Sequence, residues 1–260
     1  MKVTDISGGA STGLSSREKS KSSYTGHELK EMFSAATSWL ERNAPDINAL
    51  NVFPVPDGDT GTNMLLTMRA TMKEAASLQD DSASAIAQAM SRGALMGARG
   101  NSGVILSQIM RGLAEGLGSS VSFGPGEMAL AFEMASLLAY KAVSSPREGT
   151  MLTVIKDSAK AAKQAAASNG SHILFLMEMV VKEAKSSVER TPELLDILKE
   201  AGVVDAGGQG LYIIFEGILF YLRGDVEKMR LLETKYPIVL QPAFAASGFQ
   251  KTEEKVYGYC

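Results

Sequence analysis

Residues 51–63, which read NVFPVPDGDTGTN, form the most chemically specific stretch of the chain. Asp57 and Asp59 flank a glycine, and such carboxylates are the hard oxygen ligands that Mg²⁺ prefers. Glycines at positions 58 and 61 allow turns that a β-carbon would hinder. Because the apolar run from Met64 is typical of a helix, the amides of the preceding loop are expected at a helix N-terminus, where anions bind.

A second interpretation of this stretch is an Asp/Gly turn that only caps the helix. A cap requires one polar side chain, whereas Thr60, Thr62 and Asn63 add further hydrogen-bonding groups that suit phosphate oxygens. The preceding Pro-Val-Pro also stiffens the approach to the loop. The pattern favours a loop that holds metal and phosphate, and the simple cap is the alternative.

Composition narrows the classes of protein to be considered. The chain has 260 residues, of which 45% are hydrophobic, so one large domain or two small ones with a real core are expected. A net charge of −3 argues against non-specific nucleic-acid binding. The lone cysteine, Cys260, excludes an intrachain disulfide and makes a cysteine-based metal site unfavourable. The two histidines are too few for a histidine metal cluster.

The N-terminus lacks an apolar leader, and no uninterrupted apolar run approaches the roughly 18 residues that indicate a spanning helix. These features predict a soluble, cytoplasmic protein without stable membrane insertion.

Apolar residues recur at helical spacing through most of the chain, and strand patterns are scarce. The first predicted helix starts at a capping box from Thr25 to Glu28. A short helix is predicted at 192–200, with Thr191 as its N-cap and Pro192 at its first position. Fourteen methionines favour adaptable core filling, with a hydrophobic binding surface or cavity as the alternative. The other predicted helices cover 64–78, 84–96, 104–117, 128–143, 151–167, 173–188 and 211–222.

Several motifs together resemble a known family. Residues 48–64 (NALNVFPVPDGDTGTNM) closely resemble the signature of the nucleotide-binding domain related to the L subunit of dihydroxyacetone kinase. Within that group the chain is most similar to the kinase subunit of bacterial fatty acid kinase. Further segments fit in the family order: 97–107 (GARGNSGVILS), 203–211 (VVDAGGQGL) and, more weakly, 146–153 (PREGTMLT).

The resemblance sharpens the predicted fold from an all-α bundle to a barrel of about eight antiparallel helices that binds nucleotide at one end. It places the helical kinase domain at 24–224. Composition predicts that residues 1–23 form a disordered arm. Residues 225–260 are interpreted as an irregular linker and the start of a truncated following domain, because Tyr-Gly-Tyr-Cys begins the next domain in relatives.

The resemblance also implies ATP or ADP and Mg²⁺ as ligands. It makes Asp57 and Asp59 the catalytic metal ligands. Relatives carry a third aspartate a few residues earlier, and Asn51 is its nearest counterpart in this sequence. Asn51 is therefore a candidate metal ligand, although its side chain carries no charge. Arg99 is interpreted as a phosphate contact or a surface salt bridge. Asp205 is interpreted as a ribose contact, a residue that orients a metal-bound water, or a helix cap. The predicted nucleotide-binding residues are Thr60, Thr62, Asn63, Asn101, Ser102, Gly103, Thr150, Met151, Asp205, Gly207 and Gly208.

The resemblance implies phosphoryl transfer from ATP to a fatty acid, which a fatty-acid-binding carrier protein presents in that family. Since a carboxylate is already ionised at neutral pH, no general base is required. The alternatives are a dihydroxyacetone-type kinase subunit and a non-catalytic nucleotide-binding module. A homodimer formed through a missing C-terminal region is a further expectation.

Overall fold

The computed structural model describes residues 21–168 and 172–227, and these are predominantly helical with almost no strand. A two-residue antiparallel pairing joins β1 (Tyr24–Thr25) to β2 (Ser122–Phe123). The described residues also form eight long helices and two short ones, joined by turns and loops. They are α1 Gly26–Ala49, α2 Thr60–Ala76, α3 Ala83–Gly97, α4 Gly100–Leu117, α5 Pro125–Lys141, α6 Met151–Ala166, α7 Ile173–Glu189, α8 Thr191–Leu194, α9 Asp196–Ala201 and α10 Ala206–Leu222.

The long helices form a closed ring. From α1 to α7 each long helix packs on the next in chain order, α7 packs on α10, and α10 packs on α1 to complete the barrel. Short connections between packed neighbours make the helices alternate in direction. The prediction of an all-α barrel of about eight antiparallel helices is confirmed.

Apolar side chains from all the long helices meet inside the barrel. Met32, Met64 and Met68 on α1 and α2 are completely buried, which agrees with core filling by methionine. A cavity with an entirely apolar lining lies in the barrel half that holds the α1 N-terminus, and its lining includes Met90 and Phe215. Within the described residues, no helix is both long and apolar enough to cross a bilayer.

The capping box at the start of α1 is confirmed. The Glu28 carboxylate accepts from the Thr25 amide at 3.0 Å, and the Thr25 hydroxyl accepts from the Glu28 amide at 3.5 Å. Lys21, in the last part of the predicted arm, pairs with the same Glu28 carboxylate.

The prediction of one short helix after Thr191 is wrong. The segment divides into α8 and α9 at Leu195, whose backbone is extended. Thr191 is the first residue of α8 and Arg190 is its N-cap, so Pro192 takes the second position. The Thr191 hydroxyl does not cap α8, because it donates to the Val188 carbonyl at 2.7 Å and accepts from the backbone amide of Asp205 at 3.0 Å.

Three motif-bearing helices begin earlier than their apolar patterns indicate. Helix α2 begins at Thr60 rather than Met64, α4 at Gly100 rather than Val104, and α10 at Ala206 rather than Leu211. Glycine, threonine and asparagine have poor intrinsic helix propensity, which hid these first turns. The polar motif residues therefore occupy first helical turns, whose amides lack intrahelical partners.

The predicted arm up to residue 20 lies outside the described residues, and so do residues 228–260, where the linker and the following domain were expected. The division into domains stays a prediction.

Candidate functional site

All four sequence motifs lie at one end of the barrel. The connections α1–α2, α3–α4, α5–α6 and α7–α10 meet there because consecutive long helices alternate in direction. We call this region, formed by the N-termini of α2, α4, α6 and α10, the motif end. Each helix N-terminus carries a partial positive charge, so four of them together favour an anionic ligand.

Asn51 organises the loop between α1 and α2. It is buried, and its side-chain nitrogen donates to Asp57 Oδ1 at 2.7 Å and to the Val55 carbonyl at 2.8 Å. Its side-chain oxygen accepts a hydrogen bond from the Thr60 hydroxyl. The oxygen predicted to bind metal is thus engaged within the loop, as is the Thr60 hydroxyl predicted to face phosphate. Both assignments remain predictions.

The two aspartates of this loop are accessible. Asp57 is exposed and Asp59 is partly exposed. Asp59 is the N-cap residue of α2, and its carbonyl accepts from the Asn63 amide at 2.8 Å, but its carboxylate makes no capping hydrogen bond. The simple cap interpretation therefore does not explain the Asp59 side chain.

The donor set suits a magnesium ion that arrives with phosphate. Among the residues that the structure describes, no group of three or more His, Cys, Asp or Glu side chains forms a metal cage. Mg²⁺ in phosphoryl-transfer sites is usually held by one or two carboxylates, substrate phosphates and waters rather than by an all-protein cage. Two accessible carboxylates beside a helix N-terminus fit that requirement.

Asn48 is a site residue that sequence reasoning did not single out. Its side-chain oxygen accepts from the Thr62 amide at 3.1 Å, and its nitrogen donates to the Thr62 hydroxyl at 3.0 Å. Asn48 therefore ties the end of α1 to the first turn of α2. The Thr62 hydroxyl keeps its proton for donation, as its predicted role toward phosphate requires.

The α3–α4 turn packs directly against the first motif. Gly100 has a φ of 57°, and a β-carbon there would collide with the side-chain nitrogen of Asn63. At Gly103 a β-carbon would lie 2.6 Å from the Thr67 hydroxyl oxygen. These contacts bring the first turns of α2 and α4 together, with Asn63 between them.

Arg99, Asn101 and Ser102 complete this turn. Arg99 and Asn101 are exposed, and Ser102 is partly exposed. The Arg99 guanidinium donates to the Ala98 carbonyl at 2.9 Å, and in the described part of the chain it forms no ion pair, so the surface salt bridge alternative is not observed. Nor does Arg99, as N-cap residue of α4, make a side-chain capping bond.

The N-termini of α6 and α10 pack closely on each other. A β-carbon at Gly207 would lie 3.3 Å from Met151 Cβ, and one at Gly208 would lie 2.9 Å from a Val154 methyl carbon. Both glycines therefore serve close helix packing. Thr150 is the N-cap of α6, where its hydroxyl accepts from the Leu152 amide at 3.3 Å.

Asp205 is buried beneath this contact and caps both helices. Its carboxylate accepts from the Gly208 amide at 2.6 Å and also from the Met151 amide. Burial raises the pKa of Asp205 to about 6, although the two amides oppose the rise. The cap interpretation of Asp205 is the one observed, and contacts with ribose or a metal-bound water remain predictions.

Helix α2 connects the two halves of the motif end. A β-carbon at Gly210 on α10 would lie 2.5 Å from the Met64 sulfur. Since α2 also meets α4 through Asn63 and Gly100, the four motifs form one contiguous region. In it Asp57, Asp59, Thr62 and Asn101 are accessible, whereas Met151, Asp205 and Gly208 are buried supports.

The chain folds as an antiparallel helical barrel, and one end of the barrel carries glycine turns, two accessible carboxylates and four helix N-termini. This arrangement suits an anionic, metal-bearing ligand. The profile of the DAK2 domain matches residues 54–220, which cover three of the motifs in full and the first motif from residue 54 onward. The chain therefore belongs to the DAK2 domain family.

Relatives extend this assignment over most of the chain. Protein YloV of Bacillus subtilis (strain 168) is 44% identical over 237 residues, which are 90% of this chain and 43% of that protein. Proteins of Staphylococcus aureus strains bovine RF122 / ET3-1 and USA300 are each 41% identical over 239 residues, or 92% of this chain and 43% of theirs. The chain thus spans less than half the length of these relatives.

The fold also resembles that of the dihydroxyacetone kinase of C. freundii in its native crystal form. The TM-score is 0.51 at 18% sequence identity, over 84% of this chain and 38% of that one. At this identity the likeness concerns the fold alone.

Proposed function

We propose that the chain is the nucleotide-binding domain of an ATP- and Mg²⁺-dependent kinase that phosphorylates a carrier-bound fatty acid to an acyl phosphate. The observation that carries the nucleotide assignment is the meeting of an accessible two-aspartate loop with four helix N-termini at the motif end. Membership of the DAK2 domain family supports it.

Phosphoryl transfer asks a protein for positioning and charge stabilisation rather than covalent chemistry. Asp57 and Asp59 would hold Mg²⁺, which neutralises phosphate charge when bound. The side chains of Thr62 and Asn101 and the first-turn amides of α4 would donate hydrogen bonds to phosphate oxygens. Asn48, Asn51 and Asn63 would fix the loop and the two first turns in place, and direct contacts of Asn51 with metal and of Asn63 with nucleotide stay predictions.

The fatty acid acceptor rests on the chemistry of the carboxylate and on the resemblance of residues 48–64 to fatty acid kinase. A carboxylate attacks without a general base, which agrees with a motif end where the accessible acids are assigned to metal. A small polyol such as dihydroxyacetone is the second candidate, because residues 48–64 also resemble the signature of the dihydroxyacetone kinase L subunit.

The two acceptors are separated by following ADP release from ATP and Mg²⁺. One reaction contains a carrier protein loaded with fatty acid, and the other contains dihydroxyacetone with the subunit that binds it. We expect the carrier reaction to exceed a matched reaction with empty carrier, and acyl phosphate to form in step with ADP. ADP release in the dihydroxyacetone reaction but not in the loaded-carrier reaction would contradict the fatty acid assignment.

The chain spans 43% of its relatives' length, so a domain that binds nucleotide without turnover is a distinct outcome. In that case Mg²⁺–ADP binds the purified chain while both acceptor reactions stay at background. The nucleotide-binding part of the proposal would stand, and the kinase part would fail for this chain.

A further inference from the structure

Glu148 is a surface carboxylate with an unusual number of donors. Its Oε1 accepts from the Tyr140 hydroxyl at 2.9 Å and from Lys156 Nζ at 2.7 Å, and its Oε2 accepts from the Thr153 hydroxyl at 2.6 Å. Tyr140 lies on α5, and Lys156 and Thr153 lie on α6, so Glu148 joins the two helices beside the turn that connects them. None of the roles assigned above uses this residue.

The Lys156 ammonium and the neighbouring hydroxyls stabilise the charged form of the Glu148 carboxylate. Burial raises the pKa of Glu148, but hydrogen bonds from Lys156, Thr153 and Tyr140 outweigh it, so the net pKa is lowered. Its side chain is nevertheless 46% exposed, and an exposed ion pair contributes little to folding stability. We therefore expect the three hydrogen bonds to matter more for holding Glu148 in one position than for the free energy of unfolding.

Thr153 connects Glu148 to the turn between α5 and α6. The Gly149 amide donates to the Thr153 hydroxyl oxygen at 2.8 Å, while the same hydroxyl donates to Glu148. A Thr153 hydroxyl without its carboxylate acceptor is free to rotate and no longer presents a fixed lone pair to Gly149.

Gly149 in turn rests against the α7–α10 connection. It is buried with a φ of 79°, and a β-carbon on it would lie 2.8 Å from both the Thr191 carbonyl oxygen and Leu195 Cβ. Thr191 is the residue whose hydroxyl accepts from the Asp205 amide. A continuous series of contacts thus runs from Glu148 to Asp205, whose carboxylate accepts hydrogen bonds from first-turn amides of α6 and α10.

We infer that Glu148 is a positioning residue, which fixes the turn 147–150 and through it the α6 side of the motif end for a bound nucleotide. This inference rests on the proposed nucleotide site. Glu148 does not reach the ligand itself in this account, because it acts through Thr153 and Gly149. The prediction is a loss of nucleotide affinity that is out of proportion to any loss of stability.

The test is calorimetric titration of the purified chain and its Glu148→Ala variant with ADP in the presence of Mg²⁺. We expect the variant to bind about tenfold more weakly, since small misplacements of positioned groups have large effects, while its Tm stays within a few degrees of the parent. Glu148→Gln still accepts from Thr153, so it should recover much of the affinity. Glu133→Gln is the matched control, because Glu133 pairs across the same two helices with Lys163 at 3.4 Å but away from the turn.

A Glu148→Ala affinity within about twofold of the parent, or an equal loss in Glu133→Gln, would overturn the inference. Amide hydrogen exchange at Gly149 distinguishes this failure from failure of the nucleotide proposal. Exchange at Gly149 should accelerate in Glu148→Ala and not in Glu133→Gln, with no nucleotide present. A parent chain that binds no Mg²⁺–ADP contradicts the proposed function, and unchanged Gly149 exchange contradicts the positioning role independently.

Discussion

The side-chain nitrogen of Asn63 occupies the space into which a β-carbon on Gly100 would project. Helix α2 therefore meets α4 in a contact that only glycine permits, between two motifs that lie more than thirty residues apart in the sequence. The two-aspartate loop between α1 and α2 and the α3–α4 turn are held in one arrangement by this contact. The contact makes the motif end sensitive to small changes at Gly100.

Gly100→Ala should disturb both folding and nucleotide binding. The φ of 57° is unfavourable for alanine by about 1 kcal/mol, and the collision with Asn63 adds to this. We expect a Tm lower by several degrees and a weaker affinity for Mg²⁺–ADP, measured by thermal unfolding and calorimetry. Gly126→Ala is the control: its β-carbon meets nothing within 4 Å, so neither quantity should fall.

The role of Asn51 can be tested without nucleotide. Asn51→Ala removes three hydrogen bonds and leaves the buried Thr60 hydroxyl without its acceptor, which should lower the free energy of unfolding by about 1–3 kcal/mol. Because the loss arises from the loop itself, denaturant unfolding should show it in the absence of Mg²⁺. A variant of unchanged metal-free stability with weaker Mg²⁺ binding would instead make Asn51 a ligand.

Asp205 should make folding stability depend on pH. A folded-state pKa of about 6, raised from 3.8, means that its contribution is fully present below about pH 4 and is lost as the pH rises through 6. Asp205→Asn lacks this titration and keeps an oxygen acceptor for Gly208. Its free energy of unfolding relative to the parent should therefore rise by up to about 3 kcal/mol between pH 4 and 7.

Denaturant unfolding of both proteins at intervals across that range provides the measurement. Parallel stability curves for the parent and Asp205→Asn would show that the carboxyl pKa is not raised by burial.

The sequence predicted the barrel better than it predicted the starts of its helices. Apolar periodicity located the long helices because each buries one continuous face in the core. The motif residues at the starts of α2, α4 and α10 were assigned to loops, since their poor helix propensity conceals a first turn. Tertiary packing, through contacts such as Gly210 with Met64, overrides that local preference.

The same limit applies to the candidate site. The two aspartates were found because their spacing on either side of a glycine is recognisable in the sequence itself. Asn48 and Glu148 were not singled out, because their roles depend on partners brought near by folding, such as Thr62 for Asn48 and Tyr140 for Glu148. The Thr191 hydroxyl was wrongly assigned as a helix cap for the same reason, since in the fold it accepts a hydrogen bond from the backbone amide of Asp205.

The most direct test of the account is a titration of the purified chain with ADP, with and without Mg²⁺, for the parent and Asp59→Asn. The account predicts Mg²⁺-dependent binding by the parent and about tenfold weaker binding by the variant, roughly 1.4 kcal/mol, with helical content unchanged. Asp196→Asn, which alters an exposed aspartate in the first turn of α9, should bind as the parent does. Equal affinity and equal metal dependence in the parent and Asp59→Asn would contradict the assignment of the loop as a metal and nucleotide site.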